Sequence, residues 1–85
     1  MAKLTQDPHK TTGALTNVLE VAIGREVRGF RKQQGMTVAD LSRTTGLSVG
    51  MLSKIENGNT SPSLTTLQTP ANALSVPLTT FFRGF

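Results

Sequence analysis

Apolar side chains in the first half of the chain recur every three or four residues, at Leu19, Ile23, Val27 and Phe30. This spacing puts them on one face of a helix, so the pattern predicts an amphipathic helix from about Thr16 to Gln34. Gly35 then favours the end of the helix, because a residue without a Cβ readily adopts the left-handed backbone that often follows a last turn.

The central stretch, residues 37–58, predicts two short helices joined by a sharp turn. Thr37 and Ser48 can each cap one of these helices, and Asp40 completes a weak capping box with Thr37. Gly46 stands where the first of the two must end. The apolar face of the pair carries Val38, Leu41, Leu47, Leu52 and Ile55. Two helices joined in this way form a helix-turn-helix, which typically places its second helix in the DNA major groove.

The last third of the chain predicts a turn-rich loop at residues 57–62 and two further helices. Ser63 can cap the fourth helix, and residues 78–82 form the fifth. The apolar face of the fourth helix carries Leu64, Leu67, Ala71 and Leu74. Pro70 falls inside the fourth helix and is expected to kink or shorten it, since proline has no N–H for the helix ladder.

These elements predict an all-α fold of five helices without strands. Residues 1–16 are polar and without period, and they are predicted to be a flexible N-terminal arm. Residues 17–85 are predicted to be the helix-turn-helix domain. Its expected core consists of Ile23, Val27, Met36, Leu41, Leu47, Leu52, Ile55, Leu64, Leu67, Leu74, Val76 and Phe81.

The amino-acid composition favours some classes of function and disfavours others. Nine Lys and Arg against five Asp and Glu give a net charge of +4, which favours an anionic partner such as nucleic acid. The chain has no Cys, no Tyr and one His, so no nucleophile–base pair or metal cluster can be assembled from the sequence. We therefore expect no enzymatic activity, no cofactor and no metal. The sequence contains neither a membrane span nor a secretory signal, and a cytoplasmic location is expected.

Three stretches of the sequence resemble the lambda-repressor-like (Xre, Cro/C1-type) helix-turn-helix family. The residues that carry the resemblance are Ile23, Gly24, Val27, Arg31, Gly35, Met36, Thr37, Leu41, Gly46, Ser48, Leu52, Ser53, Ile55, Glu56, Asn57, Gly58, Pro62, Ser63, Leu64 and Leu67. The resemblance covers residues 23–82 and implies a compact five-helix DNA-binding domain whose recognition helix, residues 48–57, reads operator DNA.

The resemblance also implies which residues contact DNA. These are Thr37, Val38, Ser48, Val49, Gly50, Ser53, Lys54, Asn57, Asn59, Thr60 and Ser61. Val38 stands where relatives often use Gln to contact phosphate, which Val cannot do. Lys54 can donate to guanine or to phosphate, and Val49 can pack on a thymine methyl group. In this family Arg31 and Glu56 would form a partly buried ion pair between the first helix and the recognition helix.

The sequence leaves two functions open. The first is a sequence-specific transcriptional regulator that binds a palindromic operator as a homodimer. The second is an antitoxin-type interaction module that binds a toxin and its own promoter. The dimer contact is expected near the apolar C-terminus, at Leu78, Phe81, Phe82 and Phe85. Similar sequences often continue into a cupin-type sensor domain, so the chain is also read as the possible N-terminal part of a longer regulator.

Overall fold

Four α-helices and one 3₁₀ helix follow each other along the chain. The computed structural model describes the backbone of residues 8–83 and the side chains of residues 18–83. The helices are α1 (Pro8–Gln33), α2 (Val38–Thr45), α3 (Val49–Glu56), α4 (Leu64–Leu74) and the 3₁₀ helix Leu78–Phe82. No strand occurs within residues 8–83. The predicted all-α fold of five helical elements is confirmed, with the fifth element in 3₁₀ rather than α geometry.

Helix α1 begins at Pro8, about eight residues earlier than the sequence pattern predicted. Proline is well suited to a first helical turn, because its missing N–H would have no partner there and its φ is already helical. Residues 8–16 are therefore helical, whereas the sequence pattern had suggested an irregular backbone for them. Residues 1–7 lie outside the described part of the chain, and the division into arm and domain stays a prediction.

The hydrophobic core lies among the five helical elements, where α1 packs against α3, α4 and the 3₁₀ helix, and α2 packs against α3 and α4. Its buried members are Ile23, Val27, Leu41, Leu52, Ile55, Leu67, Pro70, Ala71, Leu74 and Phe81. Met36, Leu47 and Val76, which were predicted to be core, are partly buried at its margin. The prediction was wrong for Leu64, which is 61% exposed. Leu64 is the first residue of α4, and at that end of the helix its side chain points away from the core.

Helix α4 continues through Pro70, so the proline does not shorten it, whereas the kink that was expected as the alternative stays a prediction. Proline cannot donate to the Thr66 carbonyl, but the hydroxyl of Thr69 donates to that same oxygen at 2.8 Å. The neighbouring side chain thus replaces the missing backbone donor. Because the Pro70 ring is buried in the core, the residue also contributes packing.

The C-terminal end of α4 adopts a left-handed turn at a residue other than glycine. Ser75 has φ 60° and ψ 41°, and it is the one non-glycine residue with positive φ in the described part of the chain. Its N–H bonds to the carbonyl of Asn72 at 3.1 Å, and Val76 N–H bonds to the carbonyl of Ala71 at 3.0 Å. These two bonds satisfy the Ala71 and Asn72 carbonyls in the last turn of α4, at the cost of holding the Ser75 Cβ in an unfavourable conformation.

Candidate nucleic-acid interface

Helix α2 begins with a complete capping box. The Thr37 hydroxyl accepts from Asp40 N–H at 3.0 Å, and the Asp40 carboxylate accepts from Thr37 N–H at 2.8 Å. The hydrogen bond from the Thr37 backbone lowers the pKa of the Asp40 carboxyl, with smaller contributions from the Thr37 hydroxyl and the charge of Arg43. Arg43 also pairs with Asp40 on the exposed side of α2. The first helix of the motif is therefore started by local side chains alone.

The turn between α2 and α3 is held by hydrogen bonds from its own side chains. Gly46 has φ 80° and donates its N–H to the Ser42 carbonyl at 2.8 Å. The Ser42 hydroxyl donates to the Leu47 carbonyl at 2.6 Å, and Leu47 N–H donates to the Thr45 hydroxyl at 3.1 Å. Because these hydrogen bonds join residues of the turn to each other and to the last turn of α2, they hold the two helices at a fixed angle.

Helix α3 exposes one face and buries the other. Ser48 caps it, with its Oγ accepting from Met51 N–H at 3.0 Å. Leu52, Ile55 and Glu56 form the buried face. At about 100° per residue, the direction opposite to these three is that of Gly50, Lys54 and Asn57, all of which are exposed. The flanks of this outward line are Val49, Ser53 and Met51.

Two glycines bring α1 directly against the C-terminal end of α3. A Cβ on Gly24 would lie 2.4 Å from the Ile55 carbonyl oxygen and 2.6 Å from that of Glu56. A Cβ on Gly58, whose φ is +71°, would lie 2.8 Å from a methyl carbon of Val21. Such approaches are possible only without a side chain at these positions. The two backbones are therefore in contact where α3 ends.

Arg31 and Glu56 join the same region through a buried ion pair. Arg31 Nε and Nη2 donate to the two carboxylate oxygens of Glu56 at 2.6 and 2.9 Å, and Arg31 Nη1 donates to the Met36 carbonyl at 2.8 Å. The hydrogen bond to Glu56 raises the pKa of the Arg31 guanidinium, partly offset by desolvation. Such a bidentate pair fixes orientation as well as distance, so α1, α3 and the segment before α2 are held together.

The predicted DNA-contact residues fall into two groups. Those with exposed or half-exposed side chains, and the exposed Gly50, are Thr37, Ser48, Val49, Gly50, Ser53, Lys54, Asn57, Asn59, Thr60 and Ser61. The Val38 side chain instead packs against the core. Val38 is only partly buried, so a contact of this residue with DNA stays a prediction.

Sequence reasoning missed Met51, whose side chain is 38% exposed. Its neighbours on α3 gave the signal, because Leu52, Ile55 and Glu56 leave position 51 on the flank of the exposed face. Within the described residues no group of three His, Cys, Asp or Glu is arranged to hold a metal ion. No helix among them combines the length and apolarity that crossing a membrane requires.

Comparison with known proteins gives a consistent set of relatives. The family model described as HTH_3, helix-turn-helix, matches residues 27–81. The chain is 40% identical over 53 residues to the uncharacterized HTH-type transcriptional regulator YazB of Bacillus subtilis, covering 62% of this chain and 77% of YazB. It is 38% identical over 55 residues to the HTH-type transcriptional regulator SutR of Escherichia coli, covering 65% of this chain and 31% of SutR.

Two solved structures share the fold. An HTH_3 family transcriptional regulator from Vibrio cholerae superposes with a TM-score of 0.76 at 29% identity, covering 81% of this chain and 39% of that one. The restriction-modification controller protein C.AhdI from Aeromonas hydrophila superposes with a TM-score of 0.72 at 25% identity, covering 74% of this chain and 96% of that one. The chain thus spans most of its shorter relatives and about a third of the longer ones.

Proposed function

The chain belongs to the HTH_3 family of helix-turn-helix DNA-binding transcriptional regulators, and we propose that it recognises a specific operator by placing α3 in the major groove. The observation that supports this proposal is the exposed face of α3. Gly50, Lys54 and Asn57 face outward in one line, while the opposite face is anchored in the core. A helix presented in this way fits the major groove, which is about 12 Å wide.

The loop after α3 would contact the DNA backbone. Asn57, Asn59 and Ser61 are exposed there, and Thr60 is half-exposed. Amide and hydroxyl groups of this kind bond to phosphate oxygens and set the register of the protein on the duplex. Lys54 lies one turn before the loop, so it can reach a base edge in the groove or a phosphate beside it. The net charge of +4 adds a general attraction to DNA.

The test begins with selection of bound duplexes from random sequence, followed by titration of the selected duplex with Lys54→Ala. A contact between Lys54 and a base predicts about 1–3 kcal/mol weaker binding to the selected duplex, with relaxed preference at one position. A contact to phosphate predicts uniform weakening and a salt slope smaller by about one. Lys32→Ala is the matched control, because Lys32 is an exposed lysine on α1. Unchanged affinity of Lys54→Ala for every duplex would contradict the proposal.

The proposed binding unit is a homodimer on a palindrome. Helix α3 has eight residues and is about 12 Å long, so one copy covers only a few base pairs. Two copies about 34 Å apart would read two half-sites. Of the residues expected to join them, Phe81 is fully buried in the core and is not available, whereas Leu78 and Phe82 are half-buried. Phe85 lies outside the described residues. Sedimentation with and without the selected duplex tests the dimer, and one protomer per duplex at saturation would exclude it.

The proposal also includes a function without enzymatic activity, a longer protein and a cytoplasmic location. The relatives named above are regulators, which supports a function without enzymatic activity. Because the chain spans 31% of SutR, a longer protein with a further C-terminal domain, such as a cupin-type sensor, is compatible with the match. Binding to chromosomal DNA would place the protein in the cytoplasm.

A further inference from the structure

Gly50 has no structural reason to be a glycine. Its φ is not positive, and a Cβ built there would meet nothing closer than the Ser48 Oγ at 4.0 Å. Gly24 and Gly58 differ, because in both a Cβ would strike neighbouring atoms within 3 Å. Alanine at position 50 would therefore fit the fold and would favour the helix. The glycine leaves a stretch of bare backbone in the outward line of α3.

Two exposed apolar side chains lie on either side of this bare backbone. Val49 is 47% exposed and Met51 is 38% exposed, and both are among the few large apolar side chains that the described residues leave in solvent. Residues one position before and after Gly50 point about 100° to either side of it on the helix. The outward line of α3 thus exposes backbone at Gly50, with one exposed apolar side chain on each flank, and Lys54 lies one turn further along.

We propose that this part of α3 reads thymine, with Gly50 against the base edges and Val49 and Met51 packed on thymine C5-methyl groups. The inference rests on the proposed function and deepens it by naming the bases that α3 selects. The thymine methyl is the apolar group that the major groove presents, and apolar side chains recognise it by contact. A side chain at position 50 would hold α3 away from the base edges and separate Val49 and Met51 from the methyl groups.

The position of Lys54 limits where the thymines lie. Four residues separate Gly50 from Lys54, which corresponds to about 6 Å along α3. A helix lying along the groove would then place the thymines within about two base pairs of the position that Lys54 contacts, at 3.4 Å per base pair. The sequence preference that depends on methyl groups is therefore confined to neighbouring positions of the half-site.

Removal of the methyl groups tests the inference without altering the protein. Each thymine of the selected duplex is replaced in turn by uracil, which keeps the hydrogen-bonding edge and lacks only the C5-methyl group. We expect one or two neighbouring replacements to weaken binding about fourfold each, the value of one buried methyl group. Val49→Ala or Met51→Ala should erase the preference for thymine at one of these positions. Equal affinity for every uracil duplex would overturn the inference.

Gly50→Ala is the second test, since it separates binding from stability. We expect a melting temperature no lower than that of the wild type and an affinity for the selected duplex reduced about 10- to 100-fold, the range of an overpacked contact. Gly29→Ala is the matched control, because a Cβ on Gly29 meets nothing within 4 Å and Gly29 lies on α1. It should bind like the wild type. Wild-type affinity of Gly50→Ala would overturn the inference alone, whereas a wild-type chain that binds no duplex would overturn the proposed function as well.

Discussion

Gly24→Ala adds one methyl group at the contact between α1 and the end of α3. The added carbon would lie 2.4 Å from the Ile55 oxygen, 2.6 Å from the Glu56 oxygen and 2.9 Å from the Glu56 carbonyl carbon. All three are backbone atoms, so no side chain can rotate away. Ordinary Cβ contacts begin at 3.4 Å, and the difference from 2.4 Å means that the two helices must separate by about 1 Å.

The size of the effect follows from two opposed contributions. Overpacking of a filled contact costs about 1–3 kcal/mol or more, and the upper part of this range applies because the helices can only move as whole units. Alanine in a helix interior regains about 1 kcal/mol relative to glycine. We therefore expect a net loss of about 2 kcal/mol in the free energy of unfolding. For a domain of this size that corresponds to a melting temperature about 8–16 °C lower.

Thermal unfolding followed by circular dichroism measures this change. Gly29→Ala is the control for helix propensity, since it makes the same substitution in α1 where a Cβ meets nothing within 4 Å. It should raise the melting temperature by about 4–8 °C. The two alanines are thus expected to act in opposite directions. A melting temperature of Gly24→Ala at or above that of the wild type would refute the close approach of the two backbones.

Three further predictions concern single contacts. Glu56→Gln should lower the free energy of unfolding, measured in urea, by about 3–5 kcal/mol, because it leaves the buried Arg31 charge without its charged partner. A loss below about 1 kcal/mol is typical of an exposed ion pair and would contradict the burial of this one. Ser75→Gly should stabilise α4 by about 1 kcal/mol in thermal unfolding, because Ser75 has φ 60°, and an unchanged melting temperature would contradict this. The pKa of Asp40 is lowered by folding, so its contribution to stability is full above the ordinary carboxyl pKa near 4 and is lost as pH falls through the lowered native value. Asp40→Asn should accordingly flatten the acid limb of a stability–pH curve, and an unchanged limb would contradict the capping box.

The helix-turn-helix could be predicted from the sequence because its determinants are local. Thr37 and Asp40 bond to each other across three residues, and Gly46 ends α2 within its own turn. Determinants of this kind lie within a few consecutive residues, so they can be recognised in a single sequence. The fold class followed from them together with the helical spacing of the apolar residues.

Features that depend on distant parts of the chain could not be predicted. Gly24 and Gly29 both fall inside the predicted first helix, and helix propensity treats the two glycines alike. The difference between them arises from the Ile55 carbonyl, which is 31 residues beyond Gly24 and reaches it only in the folded protein. The core position of Pro70 was missed for the same reason, since sequence rules count its lost hydrogen bond and not its packing.

Helix α3 is therefore held in two different ways, and the difference determines which mutations affect DNA binding from a distance. Its N-terminal end is fixed by local groups, with Ser48 as cap and Gly46 in the turn. Its C-terminal end depends on long-range contacts with Gly24 and Arg31 of α1. A local cap, when lost, frays one turn, whereas loss of a contact to α1 changes the orientation of the whole helix. Because recognition tolerates little misplacement of base-reading groups, substitutions in α1 that leave the chain folded are expected to reduce sequence discrimination more than non-specific binding, which depends on charge.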